Sequence, residues 1–194
     1  IWFLFNVRVS SKKSNASFST LTGVSFASGN DAYMAQLNNV MYIANGQREL
    51  VKYSSPTLVG FATIAIPVIT GATNLSNATG TTTKAYRITA VSNVGETLPS
   101  AEFTLGTQPV ILGGIAGGVL RLIWTGVSTA SLLTGFNIYG RDGGNERFLA
   151  FVPGGTTTYD DNGSSIPSDF VFPPTADSTG GPKASRLIRH QDRL

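Results

Sequence analysis

Apolar and polar positions alternate with a period of two through much of the chain. In "AYRITAV", Tyr86, Ile88 and Ala90 fall on one side of an extended backbone and Arg87 and Thr89 on the other, so the first set is predicted to face a core. "LRLIWTG" places Leu120, Leu122 and Trp124 on one face with Arg121 opposite. "FNIYGR" sends Phe136 and Ile138 inward and Asn137 and Tyr139 outward or toward a partner. Each run is short and closed by Gly, Pro, Asn or Asp, the pattern of antiparallel strands joined by turns. "AYRITAVSNVGETLPSAEF" alternates, turns at Gly95-Glu96 and alternates again, which predicts a hairpin. A second hairpin is predicted where Asn45-Gly46 separates Val40–Ala44 from Glu49–Tyr53, because Asn-Gly supplies the positive φ angles of a type I′ turn.

The runs divide the chain into three zones. Residues 1–65 are a β-hairpin segment, 66–175 carry the dense succession of sandwich-like strands, and 176–194 read as a Pro/Gly linker followed by the start of a further strand. Composition agrees with an all-β reading: 22 glycines and 13% charged residues fit a turn-rich protein, and 41% hydrophobic residues suffice for a core. The absence of cysteine excludes disulfides and thiolate metal sites. No uncharged apolar run reaches the roughly 18 residues of a membrane-spanning helix. The opening "IWFLFNVRVSSKK" lacks a basic start and a small-residue cleavage site, and it is read as a strand. Because it starts inside a strand-like run and stops at "HQDRL", the chain is expected to be a segment of a larger or processed polypeptide.

Charge changes the picture little. The formal net charge of +3 comes from the ends, where Arg8, Lys12, Lys13, Lys183, Arg186, Arg189 and Arg193 supply half of the 14 basic residues. The intervening chain is net acidic, so a nucleic-acid partner is not expected. Candidate chemistry is equally sparse. His190 is the sole histidine, with Asp192 its nearest acid and no G-x-S-x-G elbow in the chain, so no catalytic residue is assigned. Asp160, Asp161 and Asn162 are hard oxygen donors, but "DDNGSS" lacks the ligand spacing of a calcium loop and is read as a solvated turn, as is Asp142 in "RDGGNER". "LGGIAGGVL" has no Lys-Ser/Thr after its glycines and reads as a crossing between strands. No metal or cofactor is expected.

The segment "YRITAVSNVGETLPS" resembles the last hairpin of a fibronectin type III domain, with Tyr86 at the tyrosine-corner position, where its hydroxyl would bond a nearby backbone group. "LRLIW", "GFNIYGR" and "TTTYDD" resemble that family's strands B, C and the approach to E, although here the F–G-like hairpin comes first. "MYIANG…LVKYS" resembles a hairpin of a propeller blade and "RLIRHQDRL" the start of another blade strand. The layout is similar to that of tailed-bacteriophage virion proteins, in which propeller-like or other β repeats are interrupted by fibronectin- or Ig-like sandwiches. The resemblance implies a permuted sandwich flanked by β-hairpins, with Tyr86, Ile88, Leu122, Trp124, Phe136 and Ile138 in its core. It also implies a structural role in tail or connector assembly, with other virion proteins and further copies of the chain as partners. The alternative is an adhesive module that binds glycan through exposed aromatics such as Tyr33, Tyr42, Tyr139 and Phe151, of which Tyr139 and Phe151 are the candidate interaction surface.

Overall fold

The computed structural model describes residues 2–5, 8–11, 19–20, 23–24, 26, 31–54, 57–60, 63–113, 117–125, 127 and 133–188. All regular structure among them is β, in antiparallel sheets. The chain folds as two units: Ile1–Thr63 with Gly180–Leu194 make the first, and Ile64–Thr179 are inserted between them as the second.

The first unit contains an antiparallel ladder of β1 (Trp2–Phe5), β2 (Arg8–Ser11) and β3 (Ser19–Thr20). It also contains a four-stranded meander of β4 (Tyr33–Leu37), β5 (Val40–Ala44), β6 (Val51–Ser54) and β7 (Thr57–Gly60), paired in chain order. Phe26, Ile43, Val51 and Leu58 form its buried cluster. A two-residue turn joins β4 to β5. There Asn38 and Asn39 take φ of 48° and 62°, and Leu37 pairs with Val40. Asparagine tolerates this left-handed region better than other side chains, so Asn-Asn serves as the type I′ pair.

The tight turn expected at Asn45-Gly46 takes a different form. β5 and β6 do pair, but Ile43 lies opposite Val51, so the connection is longer than two residues. Its backbone is opened toward the returning C-terminal segment: the Gly46 N–H donates to the Ala184 carbonyl (2.9 Å) and the Leu50 N–H to the Pro182 carbonyl (3.0 Å). Lys183 lies 3.8 Å from Glu49, and the Arg186 guanidinium sits 5.6 Å from the centre of the Tyr33 ring. Residues read as a linker thus include a stretch that completes the first unit by satisfying its loop amides.

Among its described residues the second unit has seven strands: β8 (Val68–Asn74), β9 (Thr82–Ser92), β10 (Phe103–Gln108), β11 (Leu120–Thr125), β12 (Leu133–Arg141), β13 (Arg147–Pro153) and β14 (Thr158–Asp161). They form two sheets, ordered β10-β9-β12-β13 and β14-β11-β8. One core joins them. Tyr86, Ile88, Phe136, Ile138 and Val152 enter it from the first sheet, and Ile69, Leu120, Leu122 and Trp124 from the second. The Trp124 and Phe136 rings meet edge to face, 5.4 Å between centroids.

The hairpin beginning at Ala85 turns where the Ser92 N–H reaches the Gly95 carbonyl (2.8 Å), and its second arm returns until Phe103 pairs with Tyr86. Thr89, predicted to face outward, is fully buried, and its hydroxyl donates to the Glu96 carboxylate of that arm. The unit closes on itself. The Ile64 N–H donates to the Thr179 hydroxyl at 3.1 Å, and that hydroxyl in turn donates to Asp177.

Trp124 is 3% exposed at the centre of this core. Trp124→Ala should lower the unfolding free energy by about 3–5 kcal/mol, measured by urea denaturation followed by circular dichroism.

Candidate functional site

Three strands bring a charged cluster to one end of the second unit's core. Asp161 closes β14, Arg141 closes β12 and Tyr86 lies in β9, so the cluster spans both sheets. Asp161 has no solvent exposure, and its carboxylate accepts four hydrogen bonds. Arg141 grips it with two, Nε to Oδ2 at 2.6 Å and Nη2 to Oδ1 at 2.7 Å; Tyr86 Oη donates to Oδ2 at 2.8 Å and the Gly163 N–H to Oδ1 at 3.1 Å. Arg141 Nη2 also reaches the Ser165 carbonyl at 2.7 Å. Bidentate geometry and full occupation of the carboxylate lone pairs make this ion pair stable despite its burial. Burial first, and the Asp161 charge second, hold the Tyr86 hydroxyl well above the usual phenol range, so it remains a donor.

Two expectations change here. Tyr86 bonds the distant Asp161 carboxylate instead of a nearby backbone group. Asp161, read as part of a solvated turn, is a buried strand residue. Its neighbour Asp160 faces the other way and pairs with Arg121 through two 2.6 Å bonds on the exposed side of β14. Gly140 lies opposite Tyr86 in the β9–β12 ladder, and a Cβ there would come within 2.7 Å of the tyrosine ring. The glycine of "FNIYGR" makes room for the ring whose hydroxyl reaches Asp161.

The outer face of the β10-β9-β12-β13 sheet is polar but largely closed. Tyr139, expected to be exposed, is 1% exposed. Glu96 on the returning hairpin arm caps it: Glu96 Oε1 accepts from Tyr139 Oη (2.7 Å), from Asn137 Nδ2 (3.0 Å) and from the Thr89 hydroxyl. The Tyr139 ring packs edge-on to Phe148 at 6.0 Å. Burial, then the bond to Glu96, raise the hydroxyl's pKa. Phe151 is 49% exposed and is the member of the predicted surface pair that lies at the surface.

Next to this cap stand two carboxyl groups, Glu102 and Glu146, with Arg87 between strands and loop. Arg87 Nε is 3.1 Å from Glu146 Oε1, and its Nη2 is 3.7 Å from Glu102 Oε2. Burial and a hydrogen bond to Glu102 push the Glu146 carboxyl up. The same bond and the Gly144 N–H (2.8 Å) hold Glu102 down. Of the two carboxyl groups, Glu146 is therefore the more readily protonated.

Beside the Asp161 cluster opens a pocket of about 300 Å³. Its buried side contains Lys84, and Val110 and Ile111 stand at its exposed side. Lys84 is 9% exposed and donates to the Val110 carbonyl at 3.0 Å. It was not singled out from the sequence, although it keeps the phase of Tyr86, Ile88 and Ala90, which is the signal that marks a charge turned toward a core. Among the described residues, no group of three or more His, Asp or Glu is placed to hold a metal ion. His190 lies outside the described residues. No protein-family model matches the chain, and no curated protein sequence matches it.

Removing one partner of the Asp161–Arg141 pair should cost about 3–5 kcal/mol, because the other is left charged and buried. Asp161→Asn and Arg141→Met should each show this loss in denaturant midpoints, and Asp161→Leu combined with Arg141→Met should recover much of it. Tyr86→Phe should cost about 1–3 kcal/mol. Glu146 gives a pH signature. Its folded pKa is raised, so its contribution is complete below the ordinary glutamate value of about 4.3 and is lost as pH rises through the folded value. Thermal melts should show this contribution to stability being lost as pH rises above the ordinary glutamate value. Glu146→Gln, which stays a neutral donor to Glu102, should reduce that loss.

Proposed function

We propose that this chain is a structural component of a tailed-bacteriophage virion that works in tail or connector assembly, contacting other virion proteins and further copies of itself. The observation that carries this reading is the insertion. The first unit, which holds a four-stranded meander, the arrangement of a propeller blade, is interrupted after Thr63 by a two-sheet unit, and the chain rejoins it from Gly180. This is the plan of the virion proteins that the sequence resembles. Strand order supports the finer reading of the inserted unit as a permuted fibronectin type III or Ig-like sandwich. The F–G-like pair β9 and β10 lies beside the C-like β12, and the B-like β11 lies beside the E-like β14.

Assembly needs surface that water does not favour. The segment after β14 supplies it: Ile166 is 86% exposed and Phe170 88%, with Val171 and Phe172 also exposed. The segment is held in place and does not dangle. The Ser168 N–H donates to the Phe148 carbonyl and the Phe148 N–H to the Val171 carbonyl, both at 2.9 Å, so it lies along the edge of β13. Arg147 stacks over the Phe172 ring at 4.4 Å. A fixed apolar row on a sheet edge is the physical form of an interaction surface.

The reading is tested by locating the protein on particles by electron microscopy and by light scattering of the full-length chain. Symmetric rings or sheaths of identical copies are expected, and a stable full-length monomer absent from particles would overturn the proposal. Ile166→Ser with Phe170→Ser should leave the melting temperature nearly unchanged, since both residues are exposed, while shifting the scattering mass downward.

A further inference from the structure

We propose that the pocket beside Lys84 is a binding site for an aliphatic monocarboxylate, independent of the assembly role. The site has a charge to satisfy. Lys84 projects from the core phase of β9 and is nine-tenths buried, and its ammonium carries three donors. Among the described residues its one hydrogen-bond acceptor is the neutral Val110 carbonyl, and no carboxylate lies within ion-pair distance. A buried cation with a single neutral partner has lost hydration without gaining a counter-charge, so an anion in the adjoining pocket is favoured.

The remaining lining selects which anion. Arg141 also borders the pocket, but its Nε and Nη2 are held by Asp161 and Ser165, so no guanidinium fork is open to grip a phosphate. Asp142 lines the exposed side, and its charge disfavours a second negative charge on the ligand. A single carboxylate matches the single uncompensated ammonium. Val110, Ile111, Leu112 and Pro167 give the pocket apolar walls, and a volume of about 300 Å³ holds a short alkyl group with its carboxylate. Val110 and Ile111 are 67% and 75% exposed, apolar surface that an alkyl chain would cover. The same chemistry is offered by a free short-chain acid and by a polypeptide C-terminus that ends in an aliphatic residue.

The test is calorimetric titration of the full chain with acetate, butyrate and hexanoate, and with a short peptide ending in valine as free acid or amide. Saturable binding is expected to strengthen about fourfold per added methylene until the pocket is full. It should weaken at least about tenfold in Lys84→Met. Ile111→Asp, at an exposed position, should weaken it without affecting folding and serves if Lys84→Met does not fold. Tighter binding of hexanoate identifies a free acid as the natural class, and tighter binding of the free-acid peptide over its amide identifies a chain terminus. Absence of saturable binding, equal binding of hexanol, tighter binding of inorganic phosphate, or unchanged affinity in the variants would overturn the assignment.

Discussion

The Asp161 carboxylate fixes the second unit in a way that its apolar core cannot. Hydrophobic burial draws β11 and β14 onto β9 and β12, but it has no direction and would tolerate a shifted register. Asp161 accepts hydrogen bonds from Tyr86 on one strand and Arg141 on another, at distances that only one alignment allows. A slip of β14 by a single residue that turned Asp161 to solvent and put Asn162 in its place would leave Arg141 without a counter-charge. The Ser165 carbonyl is tied to the same alignment, because it accepts from the guanidinium that Asp161 holds.

Alternation made the inward faces legible. Tyr86, Ile88, Leu122, Trp124, Phe136 and Ile138 occupy one cluster because each strand exposes its sides by strict turns, whatever its neighbours. Strand pairing was legible where a turn is local, as in the hairpin closed at Gly95. Alternation failed where the outer face of a sheet is itself covered. Thr89 and Tyr139 sit on the polar side of their strands, yet Glu96 returns across that side and buries them. Which loop folds back over a sheet depends on contacts far apart in sequence, and a period of two carries no trace of it.

The charged cluster was hidden for a related reason. "TTTYDDNG" has the composition of a solvated turn, and Asp161 differs from Asp160 only in phase. Phase decides everything: one aspartate meets Arg121 at the surface, the other meets Arg141 in the interior. Lys84 is the same lesson in reverse, a cation in step with Tyr86 and Ile88. The Asn45-Gly46 turn was misjudged because its amides are taken by residues near Pro182, a partner more than a hundred positions away.

The hydrogen bond between Ile64 and Thr179 joins the first and last residues of the inserted unit. A fold whose entrance and exit coincide asks its host for no more space than a turn, and the entropy of spanning such a gap is small whatever the length of chain beyond it. The two-sheet unit is therefore a cassette: it can be lengthened or exchanged while the host segments on either side stay intact. Divergence in such a chain is free to concentrate inside the cassette, and its surface can be remade without redesigning the framework that carries it.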